Sequence, residues 1–147
     1  MGRSLNLHVD GDGVVASVMV GSLNTMSDEE VALPNGEKIR VFITDPPYNL
    51  DFDYGDEVDD DLPEEEYKQL LLSTFKRCFE VADDHASLFI IHYTEALAKI
   101  YNELIDIGWE FRQFIPWVYS SNTGHSENKW STSHRVILWL TKGEPHF

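Results

Sequence analysis

Two rhythms of apolar residues alternate along this chain. Short dense runs rich in β-branched and aromatic residues, Val14 to Val20, Ile39 to Thr44, Ser87 to His92, Phe111 to Tyr119 and Arg135 to Thr141, predict strands. Between them, Tyr67, Leu70, Leu71, Phe75, Cys78, Phe79 and Ala82 recur at three- and four-residue steps and predict a helix from about Pro63 to Val81. Asp60 or Asp61 is placed to cap it, Pro63 suits its first turn, and Glu64 to Glu66 complement the positive end of its dipole. Leu97, Ile100, Tyr101 and Leu104 share one face of a second helix, Thr94 to Ile107, with Gly108 as its stop. Pro116 interrupts the Phe111–Tyr119 run and puts its end at an edge or bulge. The order strand–helix–strand–helix–strand predicts an α/β fold with a mostly parallel sheet and flanking helices.

The segments outside these rhythms are polar. Residues 1–13 read as a loosely held start, with Asp10-Gly11-Asp12-Gly13 as a turn. Met26 to Glu30 has room for one helical turn, and Leu33-Pro34-Asn35-Gly36 is turn chemistry leading into the Ile39–Thr44 strand. Ten of the sixteen residues from Asp51 to Glu66 are acidic, the composition of a solvated loop running into the first helix. Residues 120–133, rich in Ser, Thr, Asn and Gly, form another loop. No repeat and no composition break divides the chain, so residues 1–147 read as a single domain.

A hydrophobic content of 42% over 147 residues is enough for one core, and no apolar run has the length to cross a bilayer or to act as a secretory leader. The lone cysteine, Cys78, excludes an internal disulfide and suits a reducing cytoplasm; on the helix face it is a core residue. Cys78, His85 and His92 recur every seven residues, but a helix face and a strand end do not make a zinc site. Charge complicates the functional reading. With 26 acidic and 11 basic side chains the net charge is −15, which opposes nucleic-acid binding. Either the source is halophilic and the acidity keeps the protein soluble in brine, or any surface that grips a nucleic acid lies on a missing segment or a partner chain.

Against that background stands Asp45-Pro46-Pro47-Tyr48, where two prolines end the Ile39–Thr44 strand because they cannot continue its ladder. An acid, a stiff turn and an aromatic ring are thereby presented at the carboxyl end of a strand, the place where open α/β sheets bind ligands. From Leu33-Pro34 through Ile39–Thr44 to Asp45-Pro46-Pro47-Tyr48-Asn49-Leu50 the chain resembles the amino-terminal block of the N-4/N-6 DNA methylase family. Val20-Gly21-Ser22-Leu23 is similar to the family's apolar–Gly–Asp opening, with Ser22 in place of the acid. Ile115-Pro116-Trp117 and Ser133-His134-Arg135-Val136-Ile137-Leu138-Trp139 resemble later elements, with Arg135 where the family has Glu and Lys142 matching a strand-ending Lys.

The resemblance implies a three-layer Rossmann-like methyltransferase fold, present in part, that moves a methyl group from S-adenosylmethionine to the exocyclic amine of a base flipped out of double-stranded DNA. Asp45 and the Pro46 carbonyl would accept the two amine N–H groups, Pro47 would stiffen the loop and Tyr48 would stack on the base. Asp45 and Pro46 would also lie near the methyl donor. Direct attack needs no metal and no covalent enzyme intermediate. An aspartate at position 45 favours adenine-N6 over cytosine-N4. Trp130, with Lys129 and Asn122 in the polar loop, is the candidate DNA contact, whereas Trp117 and Trp139 in apolar strands are expected to pack.

In the ordering that the chain resembles, the target-recognition region and a glycine-rich cofactor strand follow the catalytic block. Gly11-Asp12-Gly13 precedes that block and has no strand and helix to cradle a cofactor. The sequence is therefore expected to be an amino-terminal part, binding S-adenosylmethionine weakly or not at all alone, and completed by a C-terminal half or a second chain. The rival functions are an RNA amino-group methyltransferase and a non-catalytic remnant or interaction subunit.

Overall fold

The computed structural model describes residues 3–8, 15–20, 23, 27, 31, 36, 38–49, 62–119 and 133–145. The turn expected at Asp10–Gly13, most of the Met26–Glu30 and Leu33–Gly36 turns, the acidic stretch 51–61 and the loop 120–132 lie outside them. Val31 N–H does bond to Ser27 C=O at 3.2 Å, the four-residue step of a helical turn.

Strands β1 (Arg3–His8) and β2 (Val15–Val20) pair antiparallel, Arg3 opposite Val20 and His8 opposite Val15. Residues 3–8, within the stretch expected to be a loosely held start, thus form a strand. Leu5 and Leu7 alternate with Ser4, Asn6 and His8, a period-two pattern whose low apolar content conceals a strand.

The main sheet has four strands, β3 (Ile39–Thr44), β4 (Ala82–His92), β5 (Glu110–Val118) and β6 (His134–Thr141), in the order β3-β4-β6-β5. Helix α1 (Glu64–Val81) joins β3 to β4, and α2 (Thr94–Ile107) joins β4 to β5. Among the described residues β3 and β4 alone pair parallel; β6 is antiparallel to both neighbours. The sheet is thus mixed rather than mostly parallel. β5 and β6, neighbours both in sequence and in the sheet, run antiparallel, with Phe114 opposite Leu138 and Ile115 opposite Ile137.

Both helices pack together on one face of the sheet. Leu71, Phe75 and Cys78 of α1 and Leu97, Ile100 and Leu104 of α2 close on Leu88 and Ile90 of β4 and Val136, Leu138 and Leu140 of β6. Burial pushes the Cys78 thiol up to about 12, so it is a packing group and not a nucleophile. Helix α1 starts after Pro63 with no side-chain cap, in place of the expected aspartate cap. Its far end is held by Lys142, whose Nζ donates to the Phe79 and Ala82 carbonyls at 3.1 and 3.2 Å, a cation at the negative end of the dipole.

Gly108 ends α2 at φ +120°, and a Cβ there would meet the Phe79 ring at 2.7 Å, so both backbone and packing require glycine.

The opposite face of the sheet is more open. Val41, Ile43 and Trp117 are 56%, 72% and 53% exposed, while Trp139 stacks on Phe89 at 5.7 Å. The Ile39–Thr44 strand is therefore an edge strand and not a buried one, and Trp117 does not pack in the core. Three described layers would need a second helical cover; the described residues supply helices on one face only. Among those residues no helix is long and apolar enough to cross a membrane.

Candidate active site

The β3–β4 ladder ends at Thr44 opposite Ile90, and Asp45-Pro46-Pro47-Tyr48 leaves the sheet from its edge. Asp45 is exposed and accepts a hydrogen bond from the Tyr48 hydroxyl. Tyr48 is half-buried, and that burial together with the Asp45 contact raises its pKa. His92 and Tyr93 meet its ring edge-on at 4.9 and 5.2 Å.

Two clamps fix the loop. The Asn49 side chain exchanges a reciprocal pair of 2.8 Å hydrogen bonds with the Leu62 backbone, donating through Nδ2 and accepting through Oδ1. Asn49 adopts φ +55°, a conformation that asparagine tolerates better than most residues. The second clamp is a chain of three bonds. Tyr93 N–H donates to His92 Nδ1 at 2.7 Å, so the neutral ring carries its proton on Nε2. Nε2–H then donates to the Tyr67 hydroxyl at 2.7 Å, and that hydroxyl donates to the Pro47 carbonyl at 2.5 Å.

Arg135 completes the cluster. Its guanidinium lies 3.9 Å from the Tyr93 ring centre and 4.9 Å from that of Tyr48, and it donates to the Tyr119 hydroxyl at 3.2 Å. An open cleft of about 1250 Å³ runs from Tyr48 and Asn49 past His92 and Tyr93 to the first turns of α1 and α2. It is roomier than the ~300–1,000 Å³ of ordinary small-ligand pockets. Lysines on its rim are matched by carboxylates: Lys99 pairs with Glu64 at 2.6 Å, and Lys68 pairs with Glu103. Asp45 does not line this cleft; Tyr48 stands between them.

Residues 39–147 match the DNA methylase family of N6 and N4 methyltransferases. The chain belongs to the N6/N4 DNA methylase family. It is 34% identical over 119 residues to the type II methyltransferase M.HpaI of Haemophilus parainfluenzae, covering 79% of this chain and 37% of that protein. It is 26% identical over 113 residues to M1.MboII of Moraxella bovis, covering 75% and 41%. The chain thus spans about two-fifths of the length of these relatives. Two crystal structures of M1.HpyAVI, the first a complex with S-adenosylmethionine, share the fold at TM-scores of 0.53 and 0.54 and identities of 18% and 21%. They match over 75% and 74% of this chain and 47% of theirs.

For this N6/N4 methylase the structure brings Asp45, Pro46, Pro47 and Tyr48 together at one strand end. Asn122, Lys129 and Trp130 lie outside the described residues. Tyr67, His92, Tyr93 and Arg135 were not singled out as site residues by sequence reasoning. Tyr67 counted as one more apolar helix position and His92 as a strand terminus, because nothing local in sequence says that positions 67, 92 and 47 meet.

His92 makes the stability of the methylase depend on pH. Burial, at 1% exposure, pulls its pKa down from 6.5 to about 4; Asp45 acts the other way and Arg135 assists. Besides these two charges, Tyr67, Tyr48 and Tyr93 are the titratable or polar rings facing it. The folded state then binds fewer protons than the unfolded state between the two values, so stability is full above about pH 6.5 and falls as pH drops toward 4. Between about pH 7.5 and 5 the loss from this one group is about 2 kcal/mol. Urea denaturation at both pH values should show the wild type losing that much more than His92→Gln; equal losses would contradict the buried neutral ring.

Proposed function

We propose that this chain carries the methyl-transfer loop of a DNA methyltransferase that modifies the exocyclic amine of a flipped base, adenine-N6 in preference to cytosine-N4. The observation that carries it is the exposed Asp45 carboxylate beside the Pro46 carbonyl and the Tyr48 ring, at the carboxyl end of the sheet's edge strand.

The lone pair of an aromatic amine is delocalised into its ring, which makes it a poor nucleophile. A carboxylate accepting one N–H and a rigid carbonyl accepting the other draw the nitrogen toward sp³ character. Tyr48 contributes stacking worth about 1–3 kcal/mol, comparable with the few kcal/mol of unstacking the target. S-adenosylmethionine, bound as it is in the M1.HpyAVI crystal, would supply an electrophilic sulfonium methyl group. Asp45 and the Pro46 backbone are the parts of this chain that would face it. Among the described residues β3 is an outer strand of its sheet, and the relatives are longer than this chain. On this reading the isolated chain holds the cofactor weakly, and DNA with a flipped base is met by the completed protein in a reducing cytoplasm.

A second reading, an interaction subunit that completes another chain, is favoured by the net charge of −15, which opposes a direct grip on DNA. Nucleoside mass spectrometry of DNA treated with the active methyltransferase containing this chain tests both. N6-methyladenine is the expected product; N4-methylcytosine would overturn the base assignment, and methylation that persists with Asp45→Ala in this chain would favour the subunit reading.

A further inference from the structure

We propose that Tyr67 is a positioning residue of the loop: its hydroxyl, held by His92, fixes the Pro47 carbonyl and leaves the Pro46 carbonyl to receive the target amine. This rests on the reading of the loop as the methyl-transfer site. The argument begins with what two prolines remove. Pro46 and Pro47 have no N–H, so the only backbone handles for orienting this stretch are its carbonyls. The fold takes hold of one of them. Tyr67 sits at the start of α1, its own N–H bonded to Pro63 C=O at 3.0 Å, and the helix is keyed into the core through Leu71, Phe75 and Cys78. His92 ends β4, buried at the head of the central sheet.

A helix and a strand, each anchored independently, thus converge on one loop carbonyl through a hydroxyl whose donor and acceptor roles are both set. The direction of the chain follows from the Tyr93 N–H at its far end: with Nδ1 accepting, Nε2 donates to the tyrosine oxygen, and the tyrosine proton is left to donate to the Pro47 carbonyl. The ring of Pro47 locks its φ, so ψ of Pro47 is the one soft torsion between the two carbonyls, and holding the Pro47 carbonyl restricts the Pro46 carbonyl on which the acceptor pair depends. Placement to about 0.5 Å is what such sites need.

Tyr67→Phe removes the hydroxyl and keeps the ring. In the active methyltransferase it is expected to lower kcat about tenfold to a hundredfold, with KM for DNA and for methyl donor within about twofold of the wild type. An unchanged kcat, or a loss confined to KM, would overturn the proposal. Asp45→Ala assayed alongside separates the two levels: if it is inactive while Tyr67→Phe is fully active, the positioning role fails alone, and if it is active, the loop reading fails with it. On this chain itself, long-range proton–nitrogen NMR should find His92 protonated at Nε2 and bare at Nδ1. The opposite tautomer would overturn the proposal whatever the kinetics show.

Discussion

Replacing Asp45 by alanine is expected to lower the rate of methyl transfer about 10²–10⁴-fold, the range for removing a group that handles the reacting proton. The fold should hardly notice. Asp45 is exposed, and its described bond is the one it accepts from Tyr48, so the stability change should stay within about 0.5 kcal/mol. Asp45→Asn separates charge from shape. It keeps an acceptor oxygen in place but loses the charge that makes the hydrogen bond roughly twice as strong. It is therefore expected to fall between wild type and alanine, provided its amide NH₂ turns away from the amine. The comparison is made on initial rates with saturating DNA and methyl donor. An alanine variant with the wild-type rate would remove the chemical role of the loop and leave the chain as a structural subunit of a larger methylase.

The parts of this architecture that depend on local order were legible in the sequence. Both helices showed as three- and four-residue steps, and α2 runs over the expected Thr94–Ile107 with Gly108 at its end, because one amphipathic face and one glycine at positive φ suffice to define it. The Asp45–Tyr48 turn was legible for a similar reason, since two prolines after an apolar strand leave few structural alternatives. What depended on pairing was not legible. The placement of β6 between β4 and β5, antiparallel to both, is set by long-range registers such as Leu88 opposite Leu140 and Phe114 opposite Leu138. The exposure of Val41 and Ile43 follows from β3 lying at the sheet edge, and their side chains are the same in a central strand. The site divides along the same line: Asp45 to Tyr48 are contiguous and could be read together, whereas Tyr67, His92 and Arg135 reach them only through the fold.

Trp109→Ala should be the most damaging change to stability, at about 3–5 kcal/mol, which is a large share of the ~5–15 kcal/mol that holds a typical domain together. Trp109 is 1% exposed, lies edge-on to Phe79 at 5.2 Å, and donates from Nε1 to the Phe75 carbonyl at 3.1 Å. Alanine would therefore open a cavity against α1 and leave a buried carbonyl of that helix without its side-chain donor. Trp109→Phe isolates the second effect: most of the packing survives, and the lost indole N–H is expected to cost about 1–3 kcal/mol. Urea midpoints read with an unchanged slope would measure both. Function should respond differently from stability. Phase and register along α1 carry Tyr67 to the loop, but Phe75 lies eight residues further on, about 12 Å away, among core contacts that persist on either side. Well below its unfolding midpoint, Trp109→Ala should thus keep more methyl-transfer activity than Tyr67→Phe, although Tyr67→Phe unfolds at the higher urea concentration. The reverse order would mean that the loop is oriented through the core packing of α1 and not through the tyrosine hydroxyl.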